Sequence, residues 1–481
     1  SYKGKKMAQI EREILERTEP TERAFKAPPF IPRVKNADLG LEKLDGERYF
    51  SPAFMKAEWD KIWTKTWQLA ARIDEFTEPG AFYVHELGKE SFIFVMGDDQ
   101  QIRGFYNVCQ HRGNRLCQSD LGIMDTFTCP FHGWKWNTDG TLKQVADPQF
   151  FRQFDAGIPT EDLGLTPVKV EFWGGWVWFN MDHDACPLKE YLGEAGVQLE
   201  TYEFEKFHLV NYQTFEWNGN WKHAWDAFNE SYHFGELHPD MIEFGEGHDI
   251  PIELLGVHSR MINFNRTVSE IVDDQDTITP LRQRMMLGDQ EGWRKNGTKD
   301  YSGAAKDVHL EEIRRRRAIE DETYLPFEQM NDEQLVHQYH YSFFPSATFT
   351  QTPEAGAVFR YRPHATDPNI CYYDFFIMQH LPPGTPTQER PENKVHRHID
   401  GIDYAEAFGG TFDPVLANVL SQDGSNMTTM QDGVKSDSFK GMNLCDQEIR
   451  LRHFHKMVDD FISGATTTHN LPDGEAYLDR H

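Results

Sequence analysis

Two short segments decide what this chain can fold around. One reads Cys109-Gln110-His111-Arg112-Gly113 and the other Cys129-Pro130-Phe131-His132-Gly133-Trp134. Each offers one thiolate and one imidazole, at C-x-H spacing in the first and C-x-x-H in the second. Four such donors meet on one centre only if the two loops are held side by side, and a hairpin-rich β unit does that. The surrounding sequence has this character. Residues 81–84, 91–95 and 102–106 read as short strands, with turn residues at Gly97-Asp98-Asp99 and Asp139-Gly140. The chain has 6 cysteines in 481 residues, too few for a disulfide scaffold, and three of them crowd into this region beside histidines. That pattern points to metal.

The donor set has two chemical readings. Structural zinc takes Cys and His, but at C-x2–4-C or H-x3–5-H spacing. A [2Fe–2S] centre of Rieske type takes two Cys on one iron and two His on the other. One Cys and one His from each loop supplies that set, because each iron then draws one ligand from each loop.

A second group lies in Asn220-Trp221-Lys222 through His238-Pro239, where Glu230, His233 and His238 stand close together, with Asp226 one helical turn before Glu230. An H-x4-H pair is weak by itself in a chain with 21 histidines. Far downstream, Ser421-Gln422-Asp423-Gly424 and Gln431-Asp432-Gly433 offer carboxylates. Two His and one carboxylate on one face of Fe(II) leave positions open for O2.

Together these residues resemble the Rieske non-haem iron oxygenases, in the large subunit of the aromatic-ring-hydroxylating type. The match includes the Arg-Gly after His111, the Gly-Trp after His132 and the Asn-Trp-Lys before the histidine pair. It departs from the respiratory Rieske proteins, which carry a further cysteine in each loop joined as a disulfide. Phe131 stands at that place here, and Cys117 has no counterpart. The resemblance implies an α+β chain. A small all-β Rieske domain would cover residues 45–165 after an arm at 1–44. A catalytic domain with an antiparallel sheet flanked by helices, of helix-grip type, would cover 166–481. It implies Cys109, His111, Cys129 and His132 as cluster ligands, and His233, His238 and Asp423 as Fe(II) ligands with Asp432 as fallback. The family usually has an aspartate three residues before His233, linking the Rieske histidine of one subunit to an iron histidine of the next. This chain has Glu230 there, with Asp226 as the alternative bridge. Some members acting on non-aromatic substrates also carry glutamate at this place.

Composition narrows the rest. The net charge of −28 disfavours nucleic acid. No apolar run reaches the ~18 residues of a membrane span, and residues 1–20 lack the apolar core of a secretion signal, so a cytoplasmic protein is expected. There is no GxGxxG, P-loop or HExxH. Electrons would therefore come from NAD(P)H through a separate reductase, with or without a ferredoxin. Under the resemblance the chain is a terminal oxygenase, a homotrimer with or without a small β subunit. It would hydroxylate a small organic substrate with O2, by cis-dihydroxylation of an aromatic ring or by monooxygenation of an alkyl, amine or ether group. The rival from another class is a Rieske electron carrier without oxygenase activity. The tetra-arginine run 314–317 lies among acids and reads as a salt-bridged face.

Overall fold

The computed structural model describes residues 38–248, 250–287, 300–319, 325–385, 391–397, 402, 404–408 and 413–472. The expected arm at 1–44 falls mostly outside them.

The chain enters through helix α1 (Pro52–Glu58). Ser51 caps it by accepting from the Phe54 N–H, and proline takes the first helical position. The helix widens into a π turn at Trp59–Trp63, and Ile62, Trp63 and Trp67 are buried, as their helical spacing predicts. The first sheet then forms from β1 (Gln68–Arg72), β2 (Ala81–Leu87), β3 (Glu90–Met96), β4 (Ile102–Tyr106) and β5 (Leu121–Ile123). A small three-stranded sheet of β6 (Thr126–Thr128), β7 (Lys135–Asn137) and β8 (Leu142–Gln144) carries the second Cys/His loop between β6 and β7.

Strands β9 (Pro167–Trp173) and β10 (Trp176–Asn180) close the first sheet, in the order β1-β10-β9-β4-β3-β2-β5. The expected division at residue 165/166 therefore falls inside one hydrogen-bonded sheet, which runs on to Asn180. β10 is buried along its whole length, and its continuous apolar run fits a strand covered on both faces.

Helix α2 (Leu188–Glu200) leads to the larger sheet. Its strands are β11 (His208–Trp217), β12 (Gly245–Glu246), β13 (Ile252–Leu255), β14 (His258–Asn265), β15 (Gln338–Phe343), β16 (Ala347–Gln351), β17 (Ala355–Pro363), β18 (Cys371–Gln379) and β19 (Lys394–His396). The order is β12-β14-β15-β16-β17-β18-β11-β19 with β13 on β14. The pairs are antiparallel except β11 with β19. Helices α3 (Trp221–Phe228), α4 (Phe234–Leu237), α5 (Val308–Arg317), α6 (Pro414–Gly433) and α7 (Ile449–Ser463) accompany it. The stretch 218–238, whose sequence reads as helix or helix plus turn, holds two helices separated by a turn, because Asn229 leaves the helical region and ends α3. All four arginines of 314–317 find acidic partners, at Glu311, Asp300, Glu312, Glu354 and Asp332.

One hydrophobic core spans both large sheets, and a second, smaller core sits under the Cys/His loops. A buried ionic group also joins the sheets. On β18, Asp374 takes Arg360 Nε and Arg362 Nε from β17, each at 2.7 Å. The same arginines reach across to the first sheet, donating to the Leu69 carbonyl at 3.2 Å and the Glu86 carbonyl at 2.9 Å.

Candidate metal centres

The two Cys/His loops are built alike. In each, the N–H of the cysteine donates to the carbonyl five residues on, Asn114 or Trp134, at 2.8 Å. The N–H of the glycine four residues on returns to the cysteine carbonyl, at 2.9 Å from Gly113 and 3.0 Å from Gly133. Both glycines have positive φ, 77° and 73°, where a side chain is strained. One clasp thus carries its histidine at the second position after cysteine and the other at the third. Both thiols are buried and within hydrogen-bonding reach of each other. Burial raises both, and Cys109 stays above its ordinary value. At Cys129 the backbone N–H groups of Phe131 and His132 outweigh burial, so the net shift is downward.

The imidazoles stand edge to face, 4.7 Å between centroids, and His111 lies flat on Trp134 at 4.9 Å. Burial, His132 and Arg112 all lower His111, which favours the neutral ring a metal needs. His111 Nδ1 is buried and has no hydrogen-bond partner. An orphaned imidazole nitrogen beside its counterpart, with two thiols behind, fits a cluster that takes two sulfur and two nitrogen donors. His132 and Phe131 are exposed at the tip, and Arg112 lies over the Phe131 ring at 5.4 Å.

The second centre is assembled across the fold. Asn220 caps α3 by accepting from the Lys222 N–H at 3.1 Å, and the Lys222 ammonium is buried on Glu58 at 2.6 Å. This fixes the helix whose end delivers His233, at the N-terminus of α4, and His238, just after it. Asp423 comes from the middle of α6, not from near its start; Asp413 caps that helix, so Asp423 has no capping duty. His233 Nε2 and His238 Nε2 are 3.1 Å apart and lie 3.6 and 3.4 Å from Asp423 Oδ1. One ligand atom from each residue falls within 4.8 Å of the others.

Both Nδ1 atoms are held from behind. His233 Nδ1 donates to Glu230 Oε1, and His238 Nδ1 to Gln422 Oε1 at 2.8 Å. That leaves the Nε2 lone pairs facing Asp423, the arrangement in which second partners fix the tautomer of metal-binding histidines. Burial lowers His233, but the bond and charge of Glu230 and the charge of Asp423 outweigh it, so its net shift is upward. A cation at this point would take over the role of that proton.

Of the two bridging carboxylates considered, the structure brings Glu230 to His233. Asp226 is turned away: it accepts from the Tyr49 hydroxyl at 2.5 Å and meets His455 Nε2 at 3.1 Å. Asp432 sits at the far end of α6, exposed, 3.6 Å from Lys435. Gln422 escaped the sequence reading, and only its place beside Asp423 could have suggested it. Phe228 stacks on Tyr373 at 5.1 Å and lies 5.1 Å from Phe359, while Trp217 covers Tyr373 at 4.7 Å. The Tyr373 and Tyr404 hydroxyls are within electrostatic reach of Asp423.

Comparisons with known proteins agree with this layout. A profile described as "Rieske [2Fe-2S] domain" matches residues 66–155. Among curated proteins, the glycine betaine monooxygenase oxygenase subunit of Pseudomonas aeruginosa (strain UCBPP-PA14) is 27% identical over 47% of this chain and 51% of its own. The carnitine monooxygenase oxygenase subunit of Escherichia coli (strain K12) is 32% identical over 38% and 48%, and biphenyl 2,3-dioxygenase subunit alpha of Rhodococcus jostii (strain RHA1) is 32% identical over 40% and 42%. The chain thus spans about half the length of the curated relatives it matches. A solved quaternary ammonium Rieske monooxygenase in complex with L-carnitine superposes with a TM-score of 0.59 at 19% identity, over 87% of this chain and 95% of that one. A naphthalene 1,2-dioxygenase superposes at 0.61 and 16% identity, over 90% and 94%; these likenesses show the fold. No described helix is long and apolar enough to cross a membrane. A profile described as "Ring hydroxylating alpha subunit (catalytic domain)" matches residues 204–464, more than half of the 481-residue chain, and the chain belongs to that family, with a Rieske [2Fe–2S] domain ahead of its catalytic domain.

Proposed function

We propose that this chain is the terminal component of a Rieske oxygenase that monooxygenates an alkyl group on an amine, with a quaternary ammonium compound as the favoured substrate. Cys109 and Cys129 would hold one cluster iron, and His111 and His132 the other. His233, His238 and Asp423 would hold Fe(II). Bound there, the cluster supplies single electrons, and the ferrous ion, with open positions, supplies O2 chemistry. The remaining work belongs to the chain. Glu230 and Gln422 keep the two imidazoles in one tautomer and orientation. The rings of Trp217, Phe228, Phe359 and Tyr373 pack on one another and keep the interior next to the centre apolar and dry. Electrons come from NAD(P)H through a separate reductase. Glu230, held on His233 Nδ1, would bridge that ring to the Rieske histidine of a neighbouring subunit in a homotrimer, so that electrons pass between the metal centres rather than onto the carboxylate.

The observation that carries the reading is the His233–His238–Asp423 set itself, with one ligand atom from each residue within 4.8 Å of the others. Support for amine substrates comes from the two curated relatives named for glycine betaine and carnitine, and from Glu230 in the place of the usual aspartate. The biphenyl 2,3-dioxygenase relative favours a second reading, cis-dihydroxylation of an aromatic ring. Metal analysis comes first. Three irons per chain, two in the cluster and one mononuclear, support an oxygenase; two irons, unchanged on Fe(II) addition, leave only an electron carrier. A substrate panel with a surrogate reductase then decides between aldehyde released from an N-alkyl group and a cis-diol. Product is scored rather than NADH loss.

A further inference from the structure

A buried cation near the second centre has neutral hydrogen-bond acceptors but no counter-charge among the described residues. Arg450, near the start of α7, is fully buried. Its Nε donates to Ser259 Oγ at 3.0 Å, Nη1 to His340 Nδ1 at 3.2 Å and Nη2 to Asn229 Oδ1 at 3.0 Å. All three partners are neutral, since burial and the charge of Arg450 itself hold His340 well below its ordinary value. A guanidinium carries five N–H groups, so two remain unused, and among the described residues no carboxylate pairs with it. Burial drags the group down to about 9, relieved only by Tyr361.

Tyr361 and Tyr373 complete the group. They face each other across β17 and β18, with ring centroids 5.5 Å apart. Both side chains are fully buried; the Tyr373 hydroxyl has no hydrogen-bond partner among the described residues, and the Tyr361 hydroxyl has only its neutral neighbours Thr348 and Asn229. The Tyr361 hydroxyl lies within electrostatic reach of both Arg450 and Asp423, and that of Tyr373 within reach of Asp423. Water would satisfy the hydroxyls but would leave the buried cation uncompensated, which costs several kcal/mol. A carboxylate answers both needs, with up to four lone-pair sites and a negative charge.

We propose that Arg450, Tyr361 and Tyr373 form a carboxylate anchor in the substrate pocket, so that the substrate is an organic acid whose far end reaches the His233–His238–Asp423 centre. This rests on the oxygenase reading above. The anchor sets which end of the substrate is buried, and the rings of Phe228 and Trp217 take the apolar or cationic remainder.

Calorimetric titration of the iron-loaded holoenzyme with matched probes tests it: glycine betaine against choline, and benzoate against benzyl alcohol. Each pair differs at the acid group. The acid of at least one pair is expected to bind tenfold or more tightly than its alcohol. In Arg450→Met the acid is expected to weaken by roughly a hundredfold and the acid-to-alcohol ratio to collapse; Tyr373→Phe removes one donor and should weaken the acid by about tenfold. The Tyr373→Phe variant changes no volume beyond one hydroxyl, so it keeps the test decisive if Arg450→Met does not fold. If neither acid outbinds its alcohol, or if Tyr373→Phe leaves the ratio unchanged, the anchor is overturned. The titration needs no turnover. Absence of oxygenated product from every probe, with both acids bound tightly, would overturn the oxygenase reading and leave the anchor standing.

Discussion

The two metal centres are made in opposite ways. The cluster loops are local: all four donors lie between Cys109 and His132, and each loop closes through its own backbone bonds, with an exposed tip. The mononuclear centre is remote. Its histidines bracket the short helix α4, its carboxylate comes from the middle of α6, and Asp423 is 3% exposed. A local clasp tolerates changes elsewhere in the fold, because little loop-closure entropy is at stake. A site drawn from distant elements is only as good as the packing that holds them. The two centres should therefore fail independently when their own ligands are changed, and differently when the packing is changed.

The largest effect tests that independence. Asp423→Ala or His233→Ala is expected to abolish mononuclear iron and lower turnover by at least about a thousandfold, as expected when an essential group is lost, while cluster absorbance stays. Cys129→Ser is expected to remove the cluster absorbance and keep mononuclear iron, with turnover lost as well because the cluster is the electron source. Iron and sulfide per chain, measured on both variants, check this; loss of the cluster in Asp423→Ala would end the idea of two independent centres.

Next comes the ionic group between the sheets. Asp374 is fully buried between Arg360 and Arg362, whose charges outweigh burial and hold its carboxyl far below the usual range. Asp374→Asn leaves two buried guanidinium groups with no carboxylate and is expected to cost about 3–5 kcal/mol. The depressed pKa fixes the sign of the pH dependence. The stabilisation is full above the ordinary aspartate value near 4 and is lost as the pH falls through the folded value. Thermal melts across pH 3–7 should therefore be steeper in acid for the parent than for the variant. The mononuclear iron should leave before the cluster does, since β17 and β18 carry Tyr361 and Tyr373, whose hydroxyls are within electrostatic reach of Asp423.

A smaller effect concerns Glu230. Glu230→Gln keeps an acceptor for His233 Nδ1 but removes the charge. Iron affinity and turnover are expected to fall about tenfold to a hundredfold, as for other partners behind a metal-bound histidine. Asp226→Asn should leave the metal in place, because its carboxylate serves Tyr49 and His455 instead. Equal losses in both variants would restore Asp226 as a rival bridge.

This contrast also explains what could be read from the sequence. The four donors proposed for the cluster were legible as a group because two short, like-built loops carry them close together in the chain. Glu230, His233 and His238 were legible as a stretch, although the choice between Glu230 and Asp226 was not. A continuous helix would put them on one face, but α3 stops at Phe228, so Glu230 leaves that face. The division at residue 165 missed β9 and β10, whose partners β4 and β1 lie far back in the chain. Gln422, Arg450, Tyr361 and Tyr373 stand on a helix face, a helix start and two strands that meet only in the folded state. No local pattern marks them out from ordinary core.

The smallest expected effect sharpens the account of the cluster loops as equal clasps. Gly113 and Gly133 have φ of 77° and 73°, and an added Cβ would meet nothing within 4 Å at either. Replacement by alanine therefore costs only the backbone strain of the left-handed region, about 1–2 kcal/mol, with no steric clash to confuse the reading. Gly113→Ala and Gly133→Ala should lower the thermal midpoint of the cluster absorbance by the same few degrees, although one loop places its histidine at the second position and the other at the third. Equal shifts mean that the backbone clasp, not the histidine position, sets the stability of each loop. A clearly larger loss at Gly133, whose loop carries the exposed Phe131 and His132, would show that the two clasps differ in strength despite their matching bonds.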